Sequence, residues 1–496
     1  MWSGDEEERM MKDYASETRD GEQRTEGSQT VKEESITARS MRSREAVSRA
    51  TEGRSSTRRE VRAAGPCVHP GAWSRRMAVS AFVVCAVLLA CLGTVRPSFA
   101  EILVNMDLKQ RDHLRAYGLA YWCLEQGTRV DWLLNYRGGS FLIRAADEVA
   151  AKANLIGVSF EIVGGAEVAR IHSEIEENNM EIIVLEKAPK IAVYIPPTAL
   201  PWDDAVTLAL EYAQIPYTKV WDGEILAGEL ERFDWLHLHH EDFTGQYGKF
   251  YGAYRNAVWY KAQQARYEEA ARKAGFAKVS QHKMAVVRKI KEYIARGGFL
   301  FAMCSATDTF DIALAADGID FLWEPYDGDP PEPDCDKRLD FSKTLAFENF
   351  QLIMNPLVYE FSDLDVSDSA LRRGPNSYFL LFDFSAKHDP VPTMLTQNHA
   401  DAIPDFMGQT TGFNMRKIKN SVVVLAEVKN TEEAKYIHGN YGRGTFTFYG
   451  GHDPEDFRHN VGDPPTNLSL HKNSPGYRLI LNNILFPAAE KKKQKT

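Results

Sequence analysis

From residue 190 onward, short apolar runs alternate with segments whose apolar residues recur at helical spacing. Apolar runs at 190–195, 216–220 and 233–238 predict strands, and the segment 203–212 predicts a helix. Strands that alternate with helices are typical of a parallel sheet covered by helices. The pattern therefore predicts an α/β fold with a doubly wound, mostly parallel sheet.

The same alternation puts a cysteine between a strand and a helix. An apolar run at 299–302 leads through Met303 into Cys304, and Phe310 and Leu314 then share one face of a predicted helix. A strand, a sharp turn that carries a nucleophile and a helix make up a nucleophile elbow. The N-terminus of such a helix favours the thiolate, which is the reactive form of cysteine. The alternative is an inert cysteine buried at the end of a core strand.

A second stretch supplies a histidine and a carboxylate. A predicted strand at 445–449 is followed by two glycines and His452, and Glu455 comes three residues later. Cysteine, histidine and carboxylate are the components of a thiol triad, in which the histidine takes the thiol proton and the carboxylate orients the ring. The predicted catalytic residues are Cys304 as nucleophile, His452 as base, Glu455 as the orienting carboxylate, and Ser305, whose amide helps to hold an oxyanion.

Over residues 189–487 the chain resembles the class I glutamine amidotransferase-like superfamily. The similarity lies in Gly297-Gly298, in the residues around Cys304, and in Tyr441-Gly442-Arg443-Gly444 leading to His452 and Glu455. The resemblance implies a flavodoxin-like sheet with Cys304, His452 and Glu455 as its triad. Two positions differ from the family pattern. Ala306 stands where the family usually has glycine, and Asp453 separates the histidine from the usual Pro-Glu pair.

A run of histidines and acids follows the predicted strand at 233–238. The superfamily usually carries a Pro-Gly-Gly turn there, which helps to bind the oxyanion, whereas this chain continues with histidines and acids. His237 and His239 share one strand face, and imidazole with carboxylate suits zinc or a similar divalent ion. The alternatives are a substrate-binding rim and a polar strand end held by internal hydrogen bonds. The predicted substrate-binding residues are His239, His240, Glu241 and Gly451.

Two further segments bear on the binding site. Seven aromatic residues fall between 243 and 260, where they line a groove for a sugar or peptide or form part of the core. Residues 317–440 are a strand-rich insertion, in which the polar stretch 390–413 is a predicted flap over the cleft. Neither segment contains a motif specific enough to name a substrate.

The first hundred residues differ from the rest of the chain. Residues 1–76 are rich in Ser, Thr, Arg and Glu and lack aliphatic periodicity, which predicts a disordered extension or an over-long gene prediction. Residues 77–100 have the character of a signal peptide, with cleavage after Ala100. A lipoprotein signal at Cys91 and an uncleaved anchor are the alternatives. We therefore expect the folded part to be exported, as a periplasmic or secreted protein.

Charge and cysteine content narrow the class of partner. Acidic residues outnumber basic ones 69 to 59, and the excess lies after residue 100. This balance argues against nucleic acid and against an anionic membrane surface as partners, so membrane contact is expected only through the signal or a lipid anchor.

The two ends of the chain after residue 100 are predicted separately. Residues 101–188 are predicted to form a small α/β unit, and residues 488–496 a basic tail. Cys123 and Cys335 are left as a candidate disulfide pair.

The chain after residue 100 also resembles bacterial exported proteins that carry the label asparagine synthetase B. Asparagine synthetases have a Ser-Gly-Gly-Leu-Asp-Ser-type pyrophosphate loop and an N-terminal cysteine nucleophile, and neither occurs in this sequence. Glycine-rich phosphate loops of other kinds are absent as well. The motifs therefore give that label no chemical support.

Together these observations predict an exported thiol hydrolase of the amidase type with a Cys-His-Glu triad. One alternative is a non-catalytic module of the same fold that binds carbohydrate. The other is a metal-dependent enzyme that uses His237 and His239. The expected partner is a small molecule, a carbohydrate or a peptide. The motifs require no cofactor, apart from a divalent metal under the last hypothesis.

Overall fold

The computed structural model describes residues 100–144, 147–197 and 204–490. The predicted extension at 1–76, the signal peptide at 77–100 except Ala100, and most of the basic tail lie outside these ranges. The described residues fall in one compact unit. Among them, no helix is both long enough and apolar enough to cross a bilayer.

The segment after Ala100 forms a sheet of its own. Its elements are β1 (Glu101–Val104), α1 (His113–Glu125), β2 (Val130–Leu134), β3 (Ser140–Arg144), α2 (Asp147–Ile156), β4 (Glu161–Val163), α3 (Gly165–Glu177) and β5 (Glu181–Leu185). The five strands lie in the order β4-β1-β3-β2-β5, and every neighbouring pair is antiparallel. This sheet occupies the range of the predicted small α/β unit.

The rest of the chain builds a ten-stranded sheet. Its first half contains β6 (Ile191–Tyr194), α4 (Ala205–Ala213), β7 (Thr218–Val220), α5 (Asp222–Leu226), β8 (Trp235–Leu238), α6 (Tyr251–Tyr254), α7 (Val258–Lys273), α8 (Val279–Ala295), β9 (Phe299–Met303) and α9 (Ala306–Ala315). Its second half contains α10 (Glu324–Asp327), α11 (Ser367–Arg373), β10 (Tyr378–Leu381), α12 (Pro390–Thr396), β11 (Ala402–Pro404), β12 (Phe413–Asn414), β13 (Val423–Val428), β14 (Glu433–Tyr441), β15 (Gly444–Tyr449) and α13 (Pro475–Leu485).

Five strands of the large sheet are parallel. They lie side by side in the order β7-β6-β8-β9-β15. Antiparallel strands β14, β13, β10 and β11 extend the sheet beyond β15, and β12 pairs with β14. The strand-rich segment predicted as an insertion at 317–440 therefore continues the main sheet.

Alternate side chains of the parallel strands enter two separate cores. Trp235, Phe301 and Met303 pack in one core with residues of α1, α4 and α13. Leu236 and Leu300 pack in the other core with residues of α8 and α9. Because successive residues of a strand point to opposite faces, helices cover both faces of this sheet. The predicted α/β class is confirmed in this general form, with parallel and antiparallel strands mixed in the large sheet.

Arg478, in α13, is fully buried against the first segment of the chain. Its guanidinium donates hydrogen bonds to the carbonyls of Met106 at 3.0 Å and Gly138 at 2.7 Å, and to the Tyr117 hydroxyl at 3.3 Å. A buried charge is tolerated only when such partners satisfy it. The last helix is thus fixed onto the first sheet by polar contacts as well as by the shared apolar core.

The three cysteines of the described ranges are all free and buried. Cys123 belongs to the core that contains α1, whereas Cys335 belongs to the core on the other face of the large sheet. The candidate disulfide between Cys123 and Cys335 is therefore wrong, because the sheet separates the two thiols.

Candidate functional site

Cys304 lies in the turn that joins β9 to α9. Its backbone φ is +53°, in the left-handed region, which bends the chain sharply after Met303. A residue with a Cβ adopts this conformation at a cost, and strain of this kind is concentrated at functional sites. The Ala306 amide, at the start of the helix, donates to the His239 carbonyl at 3.1 Å. The strand, turn and helix expected of a nucleophile elbow are therefore present.

Backbone amides surround the Cys304 sulfur. The Gln409 amide donates to Sγ at 3.3 Å, and the amides of Ser305 and Thr410 also stabilise negative charge there. Burial nevertheless raises the pKa of the Cys304 thiol to about 11, because the loss of hydration outweighs the three amides. The helix N-terminus was expected to favour the thiolate. That expectation is wrong for the free protein, in which Cys304 is a protonated thiol at neutral pH.

Asp308 is a buried acid one helical turn after the cysteine. Burial raises the pKa of its carboxyl group to about 7, although a hydrogen bond from the Thr410 hydroxyl at 3.0 Å opposes the increase. Its negative charge in turn raises the pKa of the Cys304 thiol. The charge next to the sulfur therefore changes near neutral pH.

His452 reaches the same turn from the neighbouring strand. β15 runs parallel to β9 with Tyr449 opposite Met303, so the two strands end side by side. The Cys304 amide donates to the Gly451 carbonyl at 3.2 Å. The His452 side chain is buried, and its Nδ1 has no hydrogen-bond partner among the described residues. Burial, and then three neighbouring histidines, lower the pKa of His452 well below its usual range, so the ring is neutral and can accept a proton.

His452 belongs to a cluster of four histidines. Its ring centroid lies 4.6 Å from that of His239, 5.1 Å from that of His240 and 4.6 Å from that of His459. One ring nitrogen each from His239, His240 and His452 can be chosen so that all three lie within 4.8 Å of one another. This group could hold a metal ion, because imidazole nitrogens are common ligands of zinc and copper.

Asp204 connects this cluster to His237. Its carboxylate lies 3.1 Å from Nδ1 of His239 and 3.3 Å from Nε2 of His237. Asp204, His237 and His239 are a second group that could hold a metal ion. His237 is fully buried, and its Nδ1 lies 3.2 Å from the Phe301 carbonyl. Both ring nitrogens of His237 therefore already face protein oxygens.

Two of the predicted carboxylates are engaged by other partners. Glu455 contacts Nδ1 of His471 at 2.7 Å. Glu241 is buried and contacts the Lys283 ammonium at 2.6 Å, and Lys283 also contacts Asp222 at 2.9 Å. The triad role of Glu455 and the substrate-binding role of Glu241 stay predictions. In this structure each carboxylate has a cationic or imidazole partner that does not line the cavity beside Cys304.

A cavity of about 330 Å³ adjoins the elbow. Cys304, His240 and His452 line it, together with Gly408 and Gln409 from the predicted flap. A cavity of this size accommodates a small molecule or the end of a longer chain. The lining also includes the aromatic Phe250, Tyr254 and Tyr359, and the charged Glu360, Asp368 and Arg458.

Sequence reasoning missed the part played by the loop at Gly408 and Gln409. A methyl group on Gly408 would lie 2.7 Å from the His452 amide nitrogen, so this loop packs directly on the histidine turn. The polar stretch 390–413 was the only signal for it. That signal could not identify the contact with sulfur, because a backbone amide makes it and nearly every residue type has one. His459 was missed because it contributes no motif with the other histidines.

No protein-family model matches this chain, and no curated protein matches it. Among solved structures, it is similar to Cytoplasmic Protein STM3548 from Salmonella typhimurium, at 12% identity and a TM-score of 0.31, over 61% of this chain and 100% of that chain. Cytoplasmic Protein STM1381 from Salmonella typhimurium LT2 matches at 13% identity and a TM-score of 0.30, over 61% and 100%. Gan42B, a GH42 beta-galactosidase from G. stearothermophilus, matches at 9% identity and a TM-score of 0.23, over 54% and 28%. Similarities at these TM-scores support no conclusion about the fold or function of this chain.

Proposed function

We propose that this chain is a thiol hydrolase that cleaves an amide or a related acyl bond, with Cys304 as the nucleophile and His452 as the proton acceptor. One observation carries the proposal. Cys304 occupies a left-handed turn at a strand end, three backbone amides act on its sulfur, and it shares a cavity with the neutral ring of His452. A nucleophile, a base and preorganised amide donors are the groups that acyl transfer to a thiol requires.

The reaction would start from the thiol. His452 accepts the proton from Sγ as the sulfur attacks the carbonyl carbon. We assign stabilisation of the oxyanion to the amides of Ser305, Gln409 and Thr410, which in the free protein are directed at the sulfur. His452 then gives this proton to the leaving amine or alcohol, and a thioester remains on Cys304. Water, deprotonated by His452, hydrolyses the thioester and restores the thiol. The high pKa of the thiol and the low pKa of His452 favour proton transfer during attack over a preformed ion pair.

The strand order supports a flavodoxin-like sheet of the class I glutamine amidotransferase-like type. In chain order the parallel strands are β6, β7, β8, β9 and β15. In the sheet they lie in the order β7-β6-β8-β9-β15, so the second strand of the chain lies outside the first. This order matches that of flavodoxin-like sheets, in which ligands bind at the carboxyl ends of the strands. Cys304 and His239 follow the carboxyl ends of β9 and β8. Export, with cleavage after Ala100, belongs to the same proposal.

The proposal is tested with a panel of amides and thioesters that release a chromogenic group. We expect turnover by the native protein and a loss of about 10³-fold or more in Cys304→Ala and in His452→Ala. Cys335→Ala is the matched control, because this cysteine is equally buried but does not line the cavity. Equal turnover by native and Cys304→Ala protein, or an acyl group trapped on a different residue, would exclude the mechanism.

A second candidate is a non-catalytic module that binds carbohydrate. The observation that favours it is the composition of the cavity, in which Phe250, Tyr254 and Tyr359 lie with Glu360 and Asp368. Aromatic rings stack on sugar faces, and carboxylates accept hydrogen bonds from hydroxyl groups. Calorimetry with oligosaccharides separates the two functions. Binding that is unchanged in Cys304→Ala, lost in Tyr254→Ala and never followed by hydrolysis would favour the module.

A further inference from the structure

The histidine cluster contains buried ring nitrogens that lack a hydrogen bond. Among the described residues, Nε2 of His239 and Nδ1 of His452 have no hydrogen-bond partner. The two residues are only 2% and 7% exposed. A buried polar atom without a partner costs about 1–3 kcal/mol. Two such atoms in one cluster point to a ligand that would satisfy both.

We infer that His239, His240 and His452 form a binding site for a zinc-class divalent cation. The ligand nitrogens already lie within 4.8 Å of one another. Tetrahedral zinc with bonds of about 2.0–2.1 Å places its nitrogen ligands about 3.4 Å apart, so the nitrogens must approach by up to about 1.4 Å. Rotations of the three side chains would close this gap. His240 and His452 also line the cavity, so the fourth coordination position faces the space in which a small molecule binds.

Asp204 has the position of a supporting carboxylate. Its Oδ1 lies 3.1 Å from Nδ1 of His239, which leaves Nε2 of that ring for the metal. A carboxylate behind a ligating histidine fixes the tautomer and the ring orientation. Asp204 is itself held by the amides of Val206 at 2.7 Å and Thr207 at 3.3 Å, because it caps α4. The second shell of the site is therefore assembled before a metal arrives.

His237 is excluded from the ligand set by its contacts. Its Nδ1 faces the Phe301 carbonyl and its Nε2 faces Asp204. Neither nitrogen is available unless one of these contacts is broken. The proposed set of three histidines thus differs from the pair His237 and His239 predicted from the sequence and shares only His239 with it.

The inference goes beyond the proposed function, because none of the three ligands is Cys304 and metal binding requires no thiol chemistry. The two uses nevertheless share His452. A neutral imidazole has one in-plane lone pair, so a ring that binds a metal cannot also accept the thiol proton. The zinc-loaded protein is therefore not the active form of the proposed thiol hydrolase.

The test uses the full chain, prepared without an affinity tag and stripped with EDTA. After dialysis against Zn²⁺ we expect one equivalent by elemental analysis. With Co²⁺ we expect the visible bands of a four-coordinate site, without a thiolate band and unchanged in Cys304→Ala. His239→Ala and His452→Ala should weaken binding at least about 100-fold. Asp204→Asn keeps a capping side chain and should weaken it about 10–100-fold.

Four further variants make the result decisive. His388 is exposed, so His388→Ala is the matched control and should bind zinc like the native protein. If the three ligands are assigned correctly, His237→Gln should bind zinc within about threefold of the native affinity. Loss of zinc binding in His237→Gln, together with native binding in His240→Ala, would overturn the assignment. The site itself would be overturned if the native protein did not bind stoichiometric zinc. It would also be overturned if His452→Gln bound zinc with native affinity and its circular dichroism spectrum showed a native fold. Because binding is measured without substrate, absence of hydrolysis leaves this result unaffected.

Discussion

The Cys304 amide donates a hydrogen bond to the Gly451 carbonyl at 3.2 Å, so a contact between main-chain atoms links the thiol-bearing turn to the turn that carries His452. The contact joins the ends of two neighbouring parallel strands. Substitution of either side chain leaves it in place. Variants at Cys304 and His452 therefore report on chemistry with little change to the backbone of the site.

Alkylation of Cys304 should be slow at neutral pH and should rise about tenfold per pH unit, because burial raises the pKa of the thiol to about 11. Asp308→Asn removes a carboxylate that is ionised above its pKa of about 7 and that raises the thiol pKa. The variant should therefore react several-fold faster at pH 9. Mass spectrometry of the iodoacetamide-labelled peptide measures both rates. A rate that levels off below pH 8 would contradict the assignment.

Glu455→Gln and His471→Ala should have the same small effect on any activity that depends on His452. The two side chains are paired at 2.7 Å and are partly exposed. A partly exposed contact of this kind is worth about 1 kcal/mol or less, even when both groups are charged. Steady-state kinetics and thermal unfolding of both variants and of the double variant test this. A loss of about 10⁴-fold in kcat for Glu455→Gln alone would show that the carboxylate orients His452, as the sequence predicted.

Gly408→Ala should move the Gln409 amide away from the sulfur. The added methyl group would lie 2.7 Å from the His452 nitrogen and 2.8 Å from the Gly451 carbonyl carbon, and both are backbone atoms. We expect a destabilisation of about 1–3 kcal/mol and reduced thiol turnover. Gly223→Ala is the control, because nothing lies within 4 Å of its new methyl group. Equal urea midpoints for the two variants would contradict this prediction.

Lys283→Met should cost about 3–5 kcal/mol of stability, because it leaves Asp222 and Glu241 buried without their cation. Burial raises the pKa of Glu241 to about 7, above its unfolded value. The folded state thus binds more protons there, so its contribution to stability falls as pH rises from about 4.5 to 7. The loss in Lys283→Met should therefore be larger at pH 8 than at pH 5. Denaturant unfolding at pH 5 and at pH 8 measures the free energy of unfolding of each protein. Adding Asp222→Asn and Glu241→Gln to the Lys283→Met variant should restore part of the lost stability.

Purified protein should not form asparagine from aspartate, glutamine and magnesium ATP. The sequence lacks the pyrophosphate loop that adenylation of aspartate requires, and its excess of acidic residues gives no general attraction for a triphosphate. Amino-acid analysis of the reaction mixture is the measurement. ATP-dependent asparagine that disappears in Cys304→Ala would show that the chain performs this chemistry after all.

The elbow could be predicted because its signals are local. The apolar run before Cys304 and the helical spacing after it lie within one stretch, and periodicity reveals both. The alternation that predicted the parallel strands is equally local. The histidine cluster has no such signal, because β8 and β15 become near neighbours only through the strand order of the sheet. Likewise, the choice of Glu455 between His452 and His471 depends on the path of a loop, which spacing along the chain does not determine.

The position of α13 has a consequence for synthesis of the polypeptide. This helix is the last one described, yet it packs with α1 and α4, and its Arg478 satisfies the carbonyls of Met106 and Gly138. A nascent chain therefore lacks the partner of its first core until residues 475–485 have left the ribosome. Until then the apolar surface of α1 and α4 that α13 covers stays exposed, so this core is completed only when the end of the described chain is available.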